Sequence, residues 1–573
     1  MALQDQFHYC NNTFSHYEAF GISNLNLQPY ESNVNAKESM EELYHTLVLK
    51  VNSLNGGPEE KKLNSNLAAA CYQLGRIYYD IGDDSTMAES MFIKAINTVK
   101  DHESEADNIL SVINSLNMLA YVEEKNNEDH KKALKYLLEA ETVYLKYNEM
   151  RSGPATIAPK LLPDYCPRRR MITSKNPLIS ARLFSLFYII EVYRHLDLIT
   201  NAIISTHQVL KLQLESGLFL QSPLDWALSS ALISNSLVEQ NAYQQARHHL
   251  AAASTFMEKI IPIKFTNLYN SEAYRHYTAD ISRCWARYGL RLLKKSKTRL
   301  LKHKSHRPFP TIFNNLFFNN FNMWNEERMT QYYVNNYEDA LTLANSILVN
   351  LTTTKKYYTF ERTSNYYTGL SMDTCTVYKL LTSFQDNPDK MGKLFKKGIV
   401  DLEIVANRLN EETCMNLCRG IWYELGTVYS DMMDITYERH VKNKLVFMDI
   451  TIKKNNRYSS SAIRYYLKFV ESFYVHSKLP ELLSDQYVKP VLLAHLHMAR
   501  CNNKKIVNQK NLKLEILFQC KQYYQTVVDY CQKDPRAETM MPVEISTCKE
   551  QLLSIPSRVD QLLKTKGPAK YYV

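Results

Sequence analysis

The sequence predicts an all-α chain, a solenoid of repeated helix pairs in two subdomains, and three observations predict it. At 573 residues the chain is too long for one compact core. Only 14 Gly and 18 Pro punctuate it, fewer than strand-rich folds need to reverse direction so often. A set of small, aliphatic and aromatic positions also recurs at long, regular spacing.

The first copy lies in CYQLGRIYYDIGDDSTMAESMFIKA, where Leu74, Gly75 and Tyr78 precede Ala88, Phe92 and Ala95. This is the order of the tetratricopeptide pattern. A large residue starts helix A, a small residue lets helix B approach, and small and aromatic residues of helix B fill the contact. The second copy, Leu119-Ala120 followed by Ala133, Leu137 and Ala140, keeps the register, Leu119 standing 45 residues after Leu74. The third has Ile189, Ile190 and Tyr193 leading into Ala202, Thr206 and Val209. The fourth has Ile233, Ser234 and Leu237 followed by Ala246, Leu250 and Ala253.

After Ile260 the pattern fades until IWYELGTVYSDMMD, where Trp422, Leu425, Gly426 and Tyr429 match the tryptophan-leucine-glycine-tyrosine spacing of helix A. Its partner helix comes late, with Ala462, Tyr466 and Phe469, which predicts a long loop over Glu438–Arg457. Further helices are expected near Val491–Arg500 and from Asn511 to Cys531, and a last one, VEISTCKEQLLSIPSRVDQLL, interrupted at Pro556. The common repeat has a period of about 34, so the longer spacing here predicts longer helices and a wider groove, able to enclose something helix-sized. Trp226 and Trp422 are expected as core residues of A helices, and most of the 40 tyrosines as half-buried packing residues.

Four segments follow: 1–65, an N-terminal segment with a first helix; 66–293, an N-terminal repeat subdomain; 294–330, a linker; and 331–573, a C-terminal repeat subdomain. The linker rests on the basic run Lys294–Arg307 (KKSKTRLLKHKSHR), on Pro308 and Pro310, and on the Asn/Phe-rich tract IFNNLFFNNFN. That run holds much of the formal charge of +10. It reads as a linker or loop, with a phosphate-binding or tubulin-binding patch and a localisation signal as the other readings. Nucleic acid is not expected as a partner. A second run, Arg168-Arg169-Arg170, is too short to decide anything.

The 11 cysteines are an odd number, scattered singly over apolar helix faces, as expected of reduced, buried thiols in a cytoplasmic protein. The start, MALQDQFHYCNNTF, has neither a basic nor an apolar leader region, and the longest charge-free apolar run is about Leu183–Ile190. Neither export nor a transmembrane segment is indicated.

Few residues are spaced for chemistry. Neither phosphate-binding glycine motif occurs, nor the nucleophile elbow, nor the paired-histidine zinc helix. Cys414 and Cys418 stand one helical turn apart but lack two further ligands nearby, and His248-His249 and the pair His303 and His306 are similarly isolated. Asp83-Asp84 falls in a turn, where Asp caps the next helix. No enzyme activity, cofactor or metal is therefore expected. What remains is an extended concave surface suited to binding.

From Asn66 to the C-terminus the chain resembles the kinesin-binding protein family, also called KIF-binding protein. The stretches that carry the resemblance include FYIIEVYRHLDL, LDWALSSALISNSLVEQNAYQQARHHLAAAS, ISRCWARYGL, YELGTVYSDMMDI, YVKPVLLAHLHMAR and YYQTVVDYCQKDP. A generic tetratricopeptide protein would match the Ala and Leu positions but not the MMD after the tyrosine or the VDYC segment. The resemblance implies a right-handed tetratricopeptide-like α-solenoid, a cytoplasmic, cytoskeleton-associated monomer that embraces the microtubule-contacting helix of kinesin motor domains. Kinesin-3 and kinesin-8 classes are among the candidate partners, and axonal and organelle transport among the processes affected. It also implies that Tyr188, Glu191, Gln213, Leu232 and Asn235 look towards the motor. Two of these depart from the family, where an amide is common at Glu191 and a hydroxyl at Leu232. The first change would strengthen attraction to a basic motor surface and the second would remove a hydrogen bond. The Lys294–Arg307 run is a further departure, relatives being more acidic there.

The alternatives are a generic tetratricopeptide adaptor or a chaperone-type clamp for acidic C-terminal tails. A clamp needs Lys and Asn on the A helices. Arg76 and Met118 stand where Asn would be needed.

Overall fold

The computed structural model describes residues 29–53, 57–81, 85–150, 176–302, 311–319, 321–323, 326–442, 449–476 and 478–564. Cys10, Cys166, Asp83-Asp84, Arg168–Arg170, His303, His306 and the end of the basic run lie outside the described residues. The chain is all-α; among the described residues the extended pairing is an isolated bridge between Val475 and Lys478. Two compact units are distinguishable, Met1–Tyr274 with Pro308–Glu326, and Arg275–Arg307 with Glu327–Val573.

In the first unit, α1 (Pro29–Asn52) is followed by four helix pairs that coincide with the four sequence repeats: α2 (Pro58–Ile81) with α3 (Ser85–Thr98), α4 (Ile109–Asn126) with α5 (His130–Glu149), α6 (Pro177–His195) with α7 (Ile199–Glu215), and α8 (Pro223–Glu239) with α9 (Tyr243–Thr255). Each helix packs on its sequence neighbour, and α2 touches α4 as α4 touches α6, so A helices stack on A helices. The pattern residues are the contact. Ala88, Phe92 and Ala95 are wholly buried, and a Cβ at Gly75 would lie 2.8 Å from the Phe92 ring, which is why only Gly fits there. Trp226 is core, its indole N–H donating to the Leu210 carbonyl at 3.0 Å.

The tight turns between A and B helices of the last three pairs use no glycine. Glu128, Asp197 and Asn241 take left-handed backbone, with φ of 50°, 57° and 62°. Asp and Asn tolerate this region better than most residues. In all three turns a backbone N–H reaches back to helix A, Asp129 to the Glu123 carbonyl at 3.2 Å, Leu198 to the Tyr193 carbonyl at 2.8 Å and Ala242 to the Leu237 carbonyl at 2.9 Å.

The second unit takes α10 (Glu272–Lys302) from Arg275 onward, then α11 (Tyr337–Tyr357), α12 (Ser364–Leu381), α13 (Pro388–Arg408), α14 (Met415–Lys442), α15 (Asp449–Glu471), α16 (Asp485–Asn503), α17 (Lys510–Lys533), α18 (Pro535–Met540) and α19 (Pro542–Lys564). Again neighbours pack pairwise, and α12 touches α14 as α14 touches α16. Trp422, Leu425 and Met433 of α14 are buried with Ala462, Tyr466 and Phe469 of α15 in one core.

Four expectations are corrected. The predicted loop Glu438–Arg457 is helical over 438–442 and 449–457; residues 443–448 lie outside the described residues. Its run of Lys and Asn reads as solvated, yet Asn455 donates to the Lys504 carbonyl at 2.9 Å, and Asn456 donates to the Ile506 carbonyl at 2.7 Å while accepting from the Ile506 N–H at 3.0 Å. Pro556 does not interrupt α19, because Cys548, Ile555 and Leu562 keep the helix seated on both sides of it. The described start of the basic run, Lys294–Lys302, is the end of α10 and not a loop. Ser296 is buried there and accepts from the Val334 N–H at 3.1 Å, while the Arg299 guanidinium lies over the Tyr333 ring at 4.4 Å.

The Asn/Phe-rich tract, read as part of a linker, packs into the first unit. Phe318 is 3% exposed and lies against Trp226 at 5.5 Å, His249 at 5.0 Å and His207 at 5.0 Å between ring centres. The Phe318 N–H donates to His248 Nε2 at 2.9 Å, which leaves His248 Nδ1 to donate to Glu326 at 3.1 Å. Behind them His249 Nδ1 donates to the Gln245 carbonyl at 2.8 Å, so its Nε2 accepts from His207 Nδ1 at 3.0 Å. Burial holds His207 down at about 4 and His249 well below the usual histidine range, so both are neutral near pH 7. The nine described cysteines are free thiols, and burial pushes Cys71, Cys501 and Cys520 up to about 11. Among the described residues no helix is long and apolar enough to cross a membrane.

Candidate functional site

The first unit gathers acidic groups along α4, on which both α3 and α6 pack. Helix α4 buries a mostly apolar face and carries two consecutive carboxylates in its last turns, Glu123 and Glu124, 2% and 6% exposed. Lys132 of α5 pairs with Glu123, which also accepts from the Asn127 amide at 2.8 Å. Glu124 is less well served. Its Oε1 is 3.9 Å from both Lys125 Nζ and His195 Nε2, beyond hydrogen-bond reach, and its buried Oε2 has no hydrogen-bond partner among the described residues.

Glu191 and His195 reach the same place from α6. A spacing of four residues puts them on one helix face. One ligand atom each from Glu124, Glu191 and His195 lies within 4.8 Å of the others. Burial first, and then the negative charge of Glu191, raise the Glu124 carboxyl above its usual range, against the cations around it. Burial and Glu123 likewise raise Glu89 of α3. The result is an acidic face whose charge is only partly compensated.

Of the five residues implied by the resemblance, Tyr188 and Glu191 share a face of α6, and Leu232 and Asn235 share one of α8, each pair three residues apart. Gln213 lies near the end of α7. Glu191, Gln213, Leu232 and Asn235 are all partly exposed. Tyr188 is 8% exposed, edge-on to Tyr121 at 5.6 Å and tilted against Phe184 at 4.5 Å, so it serves the packing of α4 against α6. The grouping of Glu191 with Glu124 and His195 was missed from sequence. Its legible signal was the Glu191/His195 spacing, but Glu124 joins only through the packing of α4 on α6.

Cys414 stands just before α14 and Cys418 in its first turn, Cys418 buried and its thiol raised by burial. His248 and His249 are consumed in the contacts with Phe318 and Gln245 described above.

A family model described as KIF-1 binding protein C terminal matches residues 224–562. Among curated proteins, the KIF-binding protein of Drosophila melanogaster is 26% identical over 89% of this chain and 88% of its own length. That of Gallus gallus is 25% identical over 93% of each. That of Homo sapiens is 25% identical over 86% of this chain and 84% of its own length.

Proposed function

The chain belongs to the KIF-binding protein family, and on that premise we propose that it binds kinesin motor domains, covers their microtubule-contacting surface and so keeps selected kinesins off the track. The observation that carries the reading is a match along nearly the whole chain to relatives named for this binding. The activity is one of binding, exerted in the cytoplasm on the microtubule cytoskeleton, with consequences for axonal and organelle transport. Kinesin-3 and kinesin-8 motors are the first to test.

The acidic face supports the reading on physical grounds. A motor surface that meets acidic tubulin is basic, and Glu191 with Glu124 offers it negative charge, where the resemblance implies an amide at the Glu191 position. Gln213 and Asn235 supply polar contacts, and Leu232 a small apolar one. Tyr188 fixes the helices that present them.

Purified chain added to motor domains in a microtubule pelleting assay should move kinesin-3 or kinesin-8 motors from pellet to supernatant. Unchanged pelleting across a panel containing both classes would overturn the proposal. Charge reversal at Glu191 should weaken the effect, and more so at low salt, because steering between exposed charges is screened over about 10 Å at 0.1 M salt.

A further inference from the structure

We propose that Glu124, Glu191 and His195 form a binding site for one divalent transition-metal ion, with Zn2+ as the best chemical match. Three observations carry it. The three side chains converge from two helices, with one donor atom each inside a common span of 4.8 Å. The spacing of Glu191 and His195 is that of two ligands on one helix face. Glu124, with its side chain only 4% exposed, keeps a buried oxygen without a hydrogen-bond partner among the described residues.

A buried polar atom left without a partner costs about 1–3 kcal/mol, and two carboxylates facing each other add to that cost. A dication between them removes both penalties. The donor set is one imidazole nitrogen and two carboxylate oxygens, which suits Zn2+ and related first-row ions better than the all-oxygen shells of Mg2+ or Ca2+. Zinc bonds to such ligands are about 2.0–2.2 Å, so the three groups close inward by rotamer adjustment around the ion. The His195 side chain is 44% exposed, leaving room for water to complete the shell.

The support around the site is already in place. The His130 ring stacks on His195 at 4.6 Å between centres with 5° between planes, which fixes the orientation of the ligand imidazole. Lys125, 3.9 Å from Glu124, is the cation that the ion would displace, and it sits on an exposed, movable side chain. The inference shares Glu124 and Glu191 with the kinesin reading, but its test uses the chain alone, so failure of one is distinguishable from failure of the other.

The test is titration of the full chain, stripped with chelator, with Zn2+ by calorimetry and with Co2+ by visible absorption. The expected result is one ion per chain, a cobalt spectrum without thiolate charge transfer, and an affinity at least tenfold weaker in both E191Q and H195Q. These variants sit at partly exposed positions, and unchanged far-ultraviolet dichroism confirms that they fold. No stoichiometric binding would overturn the proposal. So would a thiolate charge-transfer band, which assigns the metal to cysteines, or an affinity unchanged in both variants.

Discussion

Replacing Gly426 by alanine tests the central packing rule of the repeats, that a small residue on helix A admits an aromatic ring from helix B. A Cβ at Gly426 would lie 2.8 Å from Tyr466 Cδ1 and Cε1 and 3.0 Å from Cγ, closer than real Cβ contacts come. The ring has no room to withdraw. Tyr466 is fully buried, edge-on to Tyr423 at 5.9 Å and stacked on His497 at 5.6 Å, with its hydroxyl on Thr427 at 3.2 Å. Alanine gains about 1 kcal/mol over glycine as a helix former. Overpacking a rigid site costs about 1–3 kcal/mol, and a clash with three atoms of one ring belongs at the upper end. The net expectation is a loss of about 1–2 kcal/mol. Gly420, on the same helix, is the control, since a Cβ there meets nothing within 4 Å. G420A should therefore gain roughly 0.5–1 kcal/mol. Urea unfolding followed by dichroism and tryptophan fluorescence should separate the two variants by about 1.5–3 kcal/mol. If G426A proves as stable as G420A, the close-approach argument for the small position fails.

Two further outcomes are expected. F318A removes a ring buried against Trp226 and three histidines, and should destabilise the first unit by about 3 kcal/mol in a urea melt, whereas I312A, at a position 61% exposed, should leave the midpoint unchanged. D431N should raise the melting temperature near pH 7.5. Burial, opposed by Lys379 and Arg500, lifts the Asp431 carboxyl from 3.8 to about 6, so the folded state binds the proton more readily than the unfolded one. The cost of the charged form is then present in full above about 6 and relieved as pH falls towards 3.8. The advantage of the amide should accordingly vanish near pH 4, and an advantage independent of pH would refute the assignment.

The repeats were legible because their determinants are local. Leu74, Gly75, Ala88, Phe92 and their counterparts follow helical spacing, and each residue does at its position what its size predicts. The resemblance to the KIF-binding protein family was legible for the same reason, in stretches such as YELGTVYSDMMDI that are helices of the second unit. Polarity misled where side chains bond outside their own helix. Asn455 and Asn456 look like loop residues but bind the turn after α16, and the Asn/Phe tract looks like a linker but delivers Phe318 to three histidines.

By itself, then, the sequence determined that the chain is helical, where the helix pairs begin, which small residues sit beneath which rings, and the family. Those follow from the 3.6-residue period and from side-chain volume, quantities that a window of a few turns contains. The tertiary structure alone decided that Glu124 meets Glu191 and His195. That meeting depends on the angle at which α4 packs on α6 and on turns held by left-handed Glu128 and Asp197, and neither is written in the pattern of any single helix. A carboxylate becomes part of a site when a distant helix is laid beside it, and its own neighbours in sequence carry no trace of that.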